Sequence, residues 1–449
     1  MSSAVQDAVA HLRAHADRWA ARAVDQRIAV LGRWRQEIAN RRADLVDGLA
    51  ADTGRLALSE IEVDSVLAAI DRQSAWTRDL FAASGERRST DPTVSLVAAP
   101  VPLGVVGVIS PWNFPLQLAL IDAVPALLAG CVVVVKPSEV TPGFVPALSA
   151  SIDAVPELAD VLRVVEGGPE TGREIVESVD AVCFTGSVRT GRQVAAAAAA
   201  AFVPAFLELG GKDPAIVMAG ADIDIASSAI LWGSTANTGQ SCMSLERVYV
   251  EEPVAEKFVD ALLRKAQAVT LAIPGPADGD LGPFIDSRQA DVVAGHLADA
   301  VDRGATVRCG GEFEEHGGRR YLRPTVVTGV DHGMALMTEE TFGPVIPVMV
   351  VPDVDEAVRL ANDTRYGLSA AVFGPEREAP LIARRLQAGG ISVNDACLTA
   401  LIPEGEKQAF KSSGLGPSRM GPMSVRRFLR QRVLLVRSGP RIQPWWYEG

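Results

Sequence analysis

The spacing of apolar residues changes along this chain, and the changes divide it. Over the first eighty or so residues Val5, Ala8, Val9 and Leu12 fall at i, i+3, i+4 and i+7 with mostly polar residues between them, the signature of one helix face turned to a core. A helical scaffold is predicted there. A polar stretch from Ser84 to Pro92 follows, and Val94 to Val101 reads as one strand of a peripheral hairpin. From Leu103 short apolar runs alternate with segments mostly long enough for a helix: Val105 to Ile109, Val132 to Val135, Val161 to Val165, Ala181 to Phe184 and Ala205 to Leu209. That alternation predicts βαβ units and a parallel sheet with right-handed crossovers. A second alternation starts near Asp222, with a helix to about Ala236, a loop, a strand at Arg247 to Val250 and a helix from Val254. Later strands are expected at Val345 to Val351, Leu368 to Phe373 and Ile391 to Asn394. Pro274 to Gly282 and Gly310 to Gly318, rich in Gly, Pro and charge, read as surface loops, and the alanine run 195–201 as a packed helix.

Composition narrows this picture. At 449 residues the chain is longer than one hydrophobic core usually supports, so two large α/β domains are expected. The segment Leu103 to Val135 carries a single charge, Asp122, over a length that could cross a bilayer. Its glycines and prolines break it into pieces, and its β-branched ends read as buried strands, so no membrane partner is expected. A formal net charge of -12 argues against nucleic acid as a partner, because such binding needs clustered cations. Arginines do gather between Arg419 and Arg441, alternating with apolar residues, and read as a solvated face on a structured tail. The five cysteines, at 131, 183, 242, 309 and 397, show neither a CxxC pair nor a zinc-type histidine spacing. Reduced thiols and no metal are expected. The start of the chain has no secretory pattern, and the expected location is cytoplasmic.

Chemistry gathers where strands end. Pro111-Trp112-Asn113-Phe114-Pro115, Lys136-Pro137-Ser138-Glu139, Phe184-Thr185-Gly186-Ser187 and Leu207-Glu208-Leu209-Gly210-Gly211-Lys212 all stand at or just past a predicted strand, where open α/β sheets bind ligands. Cys242 lies in Gly239-Gln240-Ser241-Cys242-Met243-Ser244, in the loop of the second alternation. A free thiol is only a few per cent ionised at neutral pH (about 3 for every 100), so as a nucleophile it needs a base, for which Glu208 is a candidate. Read alone, Cys242 is more readily a buried inert thiol and Asn113 a turn former, while Glu208 has a lesser reading as ion-pair partner of Lys212, and Lys136 and Glu139 have one as a solvated pair. Gly186 and Gly191 sit where a strand turns into a helix and let backbone N–H groups approach a pyrophosphate, without forming the GxGxxG pattern. Lys136 and Glu139 suit ribose hydroxyls, and a carboxylate there repels a 2′-phosphate, favouring NAD over NADP.

Together with Glu339-Glu340-Thr341-Phe342-Gly343-Pro344, these motifs, in this order, resemble the aldehyde dehydrogenase superfamily from about Arg27 to Leu435. The resemblance implies NAD-dependent oxidation of a small-molecule aldehyde to its acid, with NADP also admitted. It implies Cys242 as nucleophile, with Asn113 and the backbone N–H of Cys242 as oxyanion donors and Glu208 as base. Lys136 and Glu139 would meet the adenosine ribose, Ser187 the pyrophosphate, and Glu340 and Phe342 the nicotinamide ribose and ring. Trp112 would lie beside the cofactor, with Ser110, Pro111, Ser138, Gly186, Gly191 and Leu209 among its contacts. The implied fold is a Rossmann-type cofactor domain (1–84 and 103–209), an α/β catalytic domain (210–425) and a small β oligomerisation element (85–102 and 426–449), giving a homodimer or homotetramer. Two other functions share the motifs: a CoA-acylating enzyme, which usually lacks the base at Glu208, and a non-catalytic NAD-binding member. The chain departs from many relatives after Asn394-Asp395, where Ile402 to Phe410 replaces a Phe-Gly-Gly segment. Met243, Leu398, Ile402 and Trp232 suggest an apolar tunnel suited to a medium-chain or aromatic aldehyde.

Overall fold

The computed structural model describes residues 3–82 and 86–438. The aromatic tail Pro444-Trp445-Trp446-Tyr447, expected to dock on the chain or a neighbour, lies outside them. Four helices open the chain, Ala4–Ala20, Val24–Asn40, Arg42–Thr53 and Ala57–Ala82, and they bury Trp19, Trp34, Leu12 and Ile38 completely or nearly so. The two indoles are anchored as well as packed, Trp19 Nε1 donating to the Leu127 carbonyl and Trp34 Nε1 to Ser151 Oγ, each at 3.0 Å. This scaffold lies against a six-stranded sheet.

That sheet runs in the order Gly414–Leu415, Ala205–Glu208, Ala181–Thr185, Val105–Ile109, Val132–Lys136, Leu162–Val164. Every neighbouring pair is parallel except the first, where the short C-terminal strand joins antiparallel, Gly414 opposite Glu208. The chain winds one way from Val105–Ile109 to Leu162–Val164 and then returns to the other side of its first strand. Strand order therefore reverses between Val105–Ile109 and Ala181–Thr185, which opens a crevice at their carboxyl ends. Val132–Lys136 is buried along its whole length, as a parallel strand covered on both faces must be.

A second, seven-stranded sheet has the order Thr306–Cys309, Thr325–Thr328, Val345–Val351, Leu245–Glu251, Asp213–Val217, Ser369–Phe373, Gly390–Val393. Three of its members escape the sequence pattern, among them the edge strand Thr306–Cys309. Asp213-Pro214-Ala215 is poor strand material, yet Asp213–Val217 sits at the centre because the Asp213 carboxylate is satisfied by Ser369, from N–H at 3.1 Å and from Oγ at 2.5 Å. Thr325–Thr328 was hidden by its shortness. The expected loop at Gly310 to Gly318 is corrected, since Phe313–His316 pairs with Arg319–Leu322 and only Gly317-Gly318 turn between them. Glu86–Arg88, Val94–Ala98 and Val433–Arg437 form a small antiparallel sheet apart from both. No helix among the described residues is long and apolar enough to cross a membrane.

Asp122, the lone charge of the Leu103 to Val135 segment, explains how the end of the chain is held. It stands between the short helices Pro115–Leu120 and Ala123–Ala129, buried, with Arg419 Nη2 2.7 Å from Oδ2 and Arg427 Nη2 on Oδ1. The solvated arginine face expected there is thus corrected at two positions: Arg419 and Arg427 are buried, because an apolar pocket holding a carboxylate needs cations. Burial alone would raise the Asp122 pKa, but the two guanidinium groups outweigh it and hold the carboxyl below its ordinary value. Asp122→Asn, which leaves both cations uncompensated, is expected to cost about 3–5 kcal/mol in urea unfolding. In the wild type this contribution is full above the ordinary carboxylate range and disappears as pH falls through the depressed pKa; an unchanged unfolding midpoint would contradict it.

Candidate active site

The crevice and the Cys242 loop meet. Asn113 follows the central strand of the first sheet and is buried, and its Nδ2 donates to the carbonyl of Gln240 at 3.0 Å. Its own carbonyl accepts from Asn237 Nδ2 and Arg55 Nη2, both at 2.9 Å. Arg55 in turn pairs with buried Glu62 at 3.0 Å, and Glu62 accepts the Gln117 N–H. Asn237 and Thr238 both have φ of 56°, so the loop before Cys242 doubles back tightly. Gln240, fully buried, locks it through the Asn237 carbonyl (3.1 Å), the Pro283 carbonyl (3.3 Å) and the Ile285 N–H (2.9 Å). A side-chain amide carries two hydrogens. One of Asn113's is committed to the Cys242 loop, and the other is left for a ligand.

The thiol sits in a crowded place and is half-buried. Burial pushes Cys242 up to about 12, Lys407 opposes the rise, and Glu208, Asp213 and Glu340 add to it. Its backbone N–H has no acceptor among the described residues. Gly211 keeps the loop close: a Cβ there would come within 2.6 Å of the Cys242 carbonyl oxygen. Glu208 is half-buried and pairs with no cation among the described residues. The bland reading of Glu208 as partner of Lys212 is corrected. Lys212, completely buried, instead binds Glu246 Oε2 and Thr341 Oγ1, each at 2.8 Å. Glu246 also accepts the N–H groups of Thr341 and Phe342, each at 2.7 Å. This node fixes Phe342, whose φ is 55°, with its ring edge-on to Trp112 at 5.5 Å. Glu340 accepts the Gly211 N–H at 3.2 Å, and burial lifts its pKa to about 8.

The remaining predicted residues line the crevice. Ser110 donates its N–H to the Lys136 carbonyl at 3.0 Å, and Lys136 Nζ is paired with Glu139 at 3.0 Å. Ser138 Oγ accepts the Val140 N–H. Ser187 caps the helix Val188–Ala201, its Oγ accepting the Thr190 N–H at 3.3 Å, and helix geometry leaves the Val188 and Arg189 amides without intrahelical partners. Gly191 has a packing reason too: a Cβ would strike the side chain of Leu209. Free amides at a helix N-terminus, an ionic pair at the next strand end and an apolar wall of Pro111, Trp112 and Leu209 fit a dinucleotide. Sequence reasoning missed Arg55, Asn237, Gln240, Glu246 and Lys407; Gln240 stood inside the cysteine motif, whereas the others had no local signal. It also missed His11 and His15, which at i, i+4 gather with Asp160 so that one possible ligand atom from each lies within 4.8 Å of the others. Arg163 Nη2 at 3.0 Å from His11 Nε2 and Arg18 Nη2 at 2.9 Å from Asp160 fill that cluster with cations.

Two variants probe this geometry. Glu246→Gln strands a buried ammonium and is expected to cost about 3–5 kcal/mol, whereas replacing Lys212 and Glu246 together by methionine is expected to recover most of that stability. Thermal and urea melts distinguish these outcomes, and equal losses in both variants would argue against the node. Glu139→Ser is expected to raise kcat/KM for NADP relative to NAD by about tenfold; an unmoved ratio in paired assays would remove Glu139 from the adenosine site.

Comparisons with known proteins bear on the family and the fold. Residues 1–434 match a family profile described as the aldehyde dehydrogenase family. A Mycolicibacterium smegmatis protein provisionally named an NADP(+) succinate-semialdehyde dehydrogenase is 39% identical over 422 residues, covering 92% of this chain and 80% of its own. The chloroplastic betaine aldehyde dehydrogenase of Atriplex hortensis is 36% identical over 354 residues, covering 78% of this chain and 70% of its own. Among solved structures, lactaldehyde dehydrogenase from Escherichia coli superposes with a TM-score of 0.91 at 32% identity, covering 97% of this chain and 91% of that one.

Proposed function

We propose that this chain, which belongs to the aldehyde dehydrogenase family, oxidises an aldehyde to the carboxylic acid with Cys242 as nucleophile, Glu208 as base and Asn113 as oxyanion donor. The observation that carries the reading is the Asn113–Gln240 bond at 3.0 Å. It ties Asn113 to the Cys242 loop through one amide hydrogen and leaves the other uncommitted, and the Cys242 N–H has no acceptor among the described residues, which supports reading both as oxyanion donors.

The thiol loses its proton to the Glu208 carboxylate and its sulfur attacks the carbonyl carbon. The C=O π bond becomes an alkoxide, held by the second Nδ2–H of Asn113 and the Cys242 N–H. NAD or NADP, when bound, supplies the hydride acceptor, and loss of hydride from the carbon leaves an acyl thioester on Cys242. Glu208 releases its first proton to solvent and then takes a proton from water, whose oxygen adds to the thioester; the C–S bond breaks, the acid leaves and the proton returns to the sulfur. Phe342, wedged against Trp112 by the Glu246 node, excludes water from the far wall and holds the position where a nicotinamide ring would lie. Because burial holds the thiol above its ordinary range, its ionisation calls for a base such as Glu208.

The same reading assigns the small three-stranded sheet to self-association, as a dimer or tetramer. Supporting this, its edge strand Val433–Arg437 is exposed along its whole length and carries Val433, Leu434, Leu435 and Val436, an apolar edge that soluble chains seldom leave uncovered. The relatives' names span an anionic and a cationic substrate and do not choose between them.

NADH formation over a panel of aldehydes without CoA tests the proposal. Cys242→Ala is expected to abolish turnover. Glu208→Gln is expected to fall by about 10²- to 10⁴-fold and, given a preformed thiolate at high pH, to release roughly one equivalent of NADH before stalling at the thioester. In cofactor-free enzyme, iodoacetamide labelling of Cys242 is expected to keep climbing with pH through about 10 without levelling, as a thiol titrating well above its ordinary range requires. Full activity in Cys242→Ala would overturn the mechanism, and product appearing only with CoA would select acyl transfer instead.

A further inference from the structure

Lys407 lies in the segment Ile402 to Phe410, most of which is exposed. Lys407 is half-buried. Its stem crosses Gly390, the first residue of the strand Gly390–Val393, where a Cβ would come within 3.0 Å of Lys407 Cδ and would also strike Thr399. Thr399 Oγ1 is 3.2 Å from Met243 Sδ, and Cys397 Sγ is 3.3 Å from the Met243 carbonyl. The lysine stem, Thr399 and the residue after Cys242 therefore form one continuous wall.

The ammonium has work left to do. Lys407 donates its backbone N–H to Ser418 Oγ at 3.0 Å, but Nζ has no ion pair or hydrogen bond among the described residues. Asp213, a buried carboxylate within its electrostatic reach, is already satisfied by Ser369. Of the charged groups acting on Cys242, Lys407 is the strongest, and it opposes Glu208, Asp213 and Glu340. A strongly hydrated ammonium, partly withdrawn from water and unpaired, favours an anion entering beside it.

We propose that Lys407 is a specificity-determining residue whose ammonium binds the carboxylate of the substrate, making this an enzyme for short aldehydes that carry an acid group. The proposal rests on the reading of Cys242 as the nucleophile. It disfavours a trimethylammonium aldehyde, which would bring a second fixed cation to Lys407, and it replaces the uncharged medium-chain or aromatic aldehyde suggested by the apolar residues alone.

The test compares kcat/KM for 4-oxobutanoate and for its uncharged methyl ester in the full-length chain and in Lys407→Gln and Lys407→Arg. Wild type is expected to prefer the acid, and Lys407→Gln to lower the acid-to-ester ratio by about 10- to 100-fold, mainly through KM, the range expected for one charge-assisted hydrogen bond. Lys407→Arg is expected to keep most of the preference. A ratio that does not move while both substrates decline together would overturn the proposal and make Lys407 a positioning residue acting on the thiol. A wild-type preference for the ester would overturn it directly. A second readout needs no turnover: succinate is expected to protect Cys242 from iodoacetamide in wild type and at least tenfold more weakly in Lys407→Gln. Equal protection counts against Lys407, whereas protection without NADH formation from any aldehyde counts against the dehydrogenase reading alone.

Discussion

The buried Lys212–Glu246 pair is the constraint on which the site depends. Lys212 belongs to the turn that follows Glu208, Glu246 to the strand that follows Cys242, and the third partner is the backbone of Thr341 and Phe342. Three separate segments are thereby drawn to one carboxylate. An ion pair with both members buried is a weak device for stability, since desolvating the charges offsets much of their attraction. Its value here is geometric. Glu246 has two oxygens, and Lys212 and two peptide N–H groups converge on them, so the turn after Glu208, the strand after Cys242 and the Phe342 loop can hardly move independently.

A second level of order comes from the sheets. The crevice at the strand reversal of the first sheet supplies Ser110, Asn113, Lys136, Ser187 and Glu208 from successive strand ends, and the second sheet delivers Cys242 and Phe342 opposite them. Neither half can do the chemistry alone. The Asp122 cluster then recruits the end of the chain, because Arg419 and Arg427 fix the stretch between the Lys407 segment and the small sheet against the first layer. Gly414–Leu415 extends that layer beside Glu208, so the base strand is not an open edge.

What was legible in the sequence follows the range of the forces involved. Strand ends announced themselves, because apolar runs stop abruptly at Ser110, Lys136 and Gly186, and the polar residues immediately beyond them are the ones in the crevice. The Lys136–Glu139 pair was readable for the same reason, being local. Contacts set by the meeting of distant segments were not. Lys212 looked like a partner for its near neighbour Glu208, yet it goes to Glu246, thirty-four positions on. Arg419 and Arg427 looked solvated because their acceptor lies about three hundred residues earlier in the chain. The strand Asp213–Val217 was concealed by residues that only Ser369 makes tolerable. Lys407 was passed over in a stretch that read simply as a departure from relatives.

Charge in the finished site also differs from what its composition suggests. Counting residues gives three carboxylates, Glu208, Asp213 and Glu340, around one thiol and one lysine, an environment hostile to an anion. Burial changes that count. Asp213 is lifted to about 7 and Glu340 to about 8, in each case chiefly by loss of water, so near neutral pH Glu340 is mostly protonated and Asp213 about half so. The first consequence is that a protonated Glu340 can donate a hydrogen bond as well as accept one, which suits a hydroxyl-bearing ligand. The second is that Lys407 is balanced by far less negative charge than the sequence implies, leaving positive potential at the mouth of the nucleophile. As pH rises through about 8 both carboxyls ionise, and that potential must fall. The loss of water that raises the thiol is thus the same effect that lifts Asp213 and Glu340 and lessens the negative charge an acid-bearing aldehyde would meet.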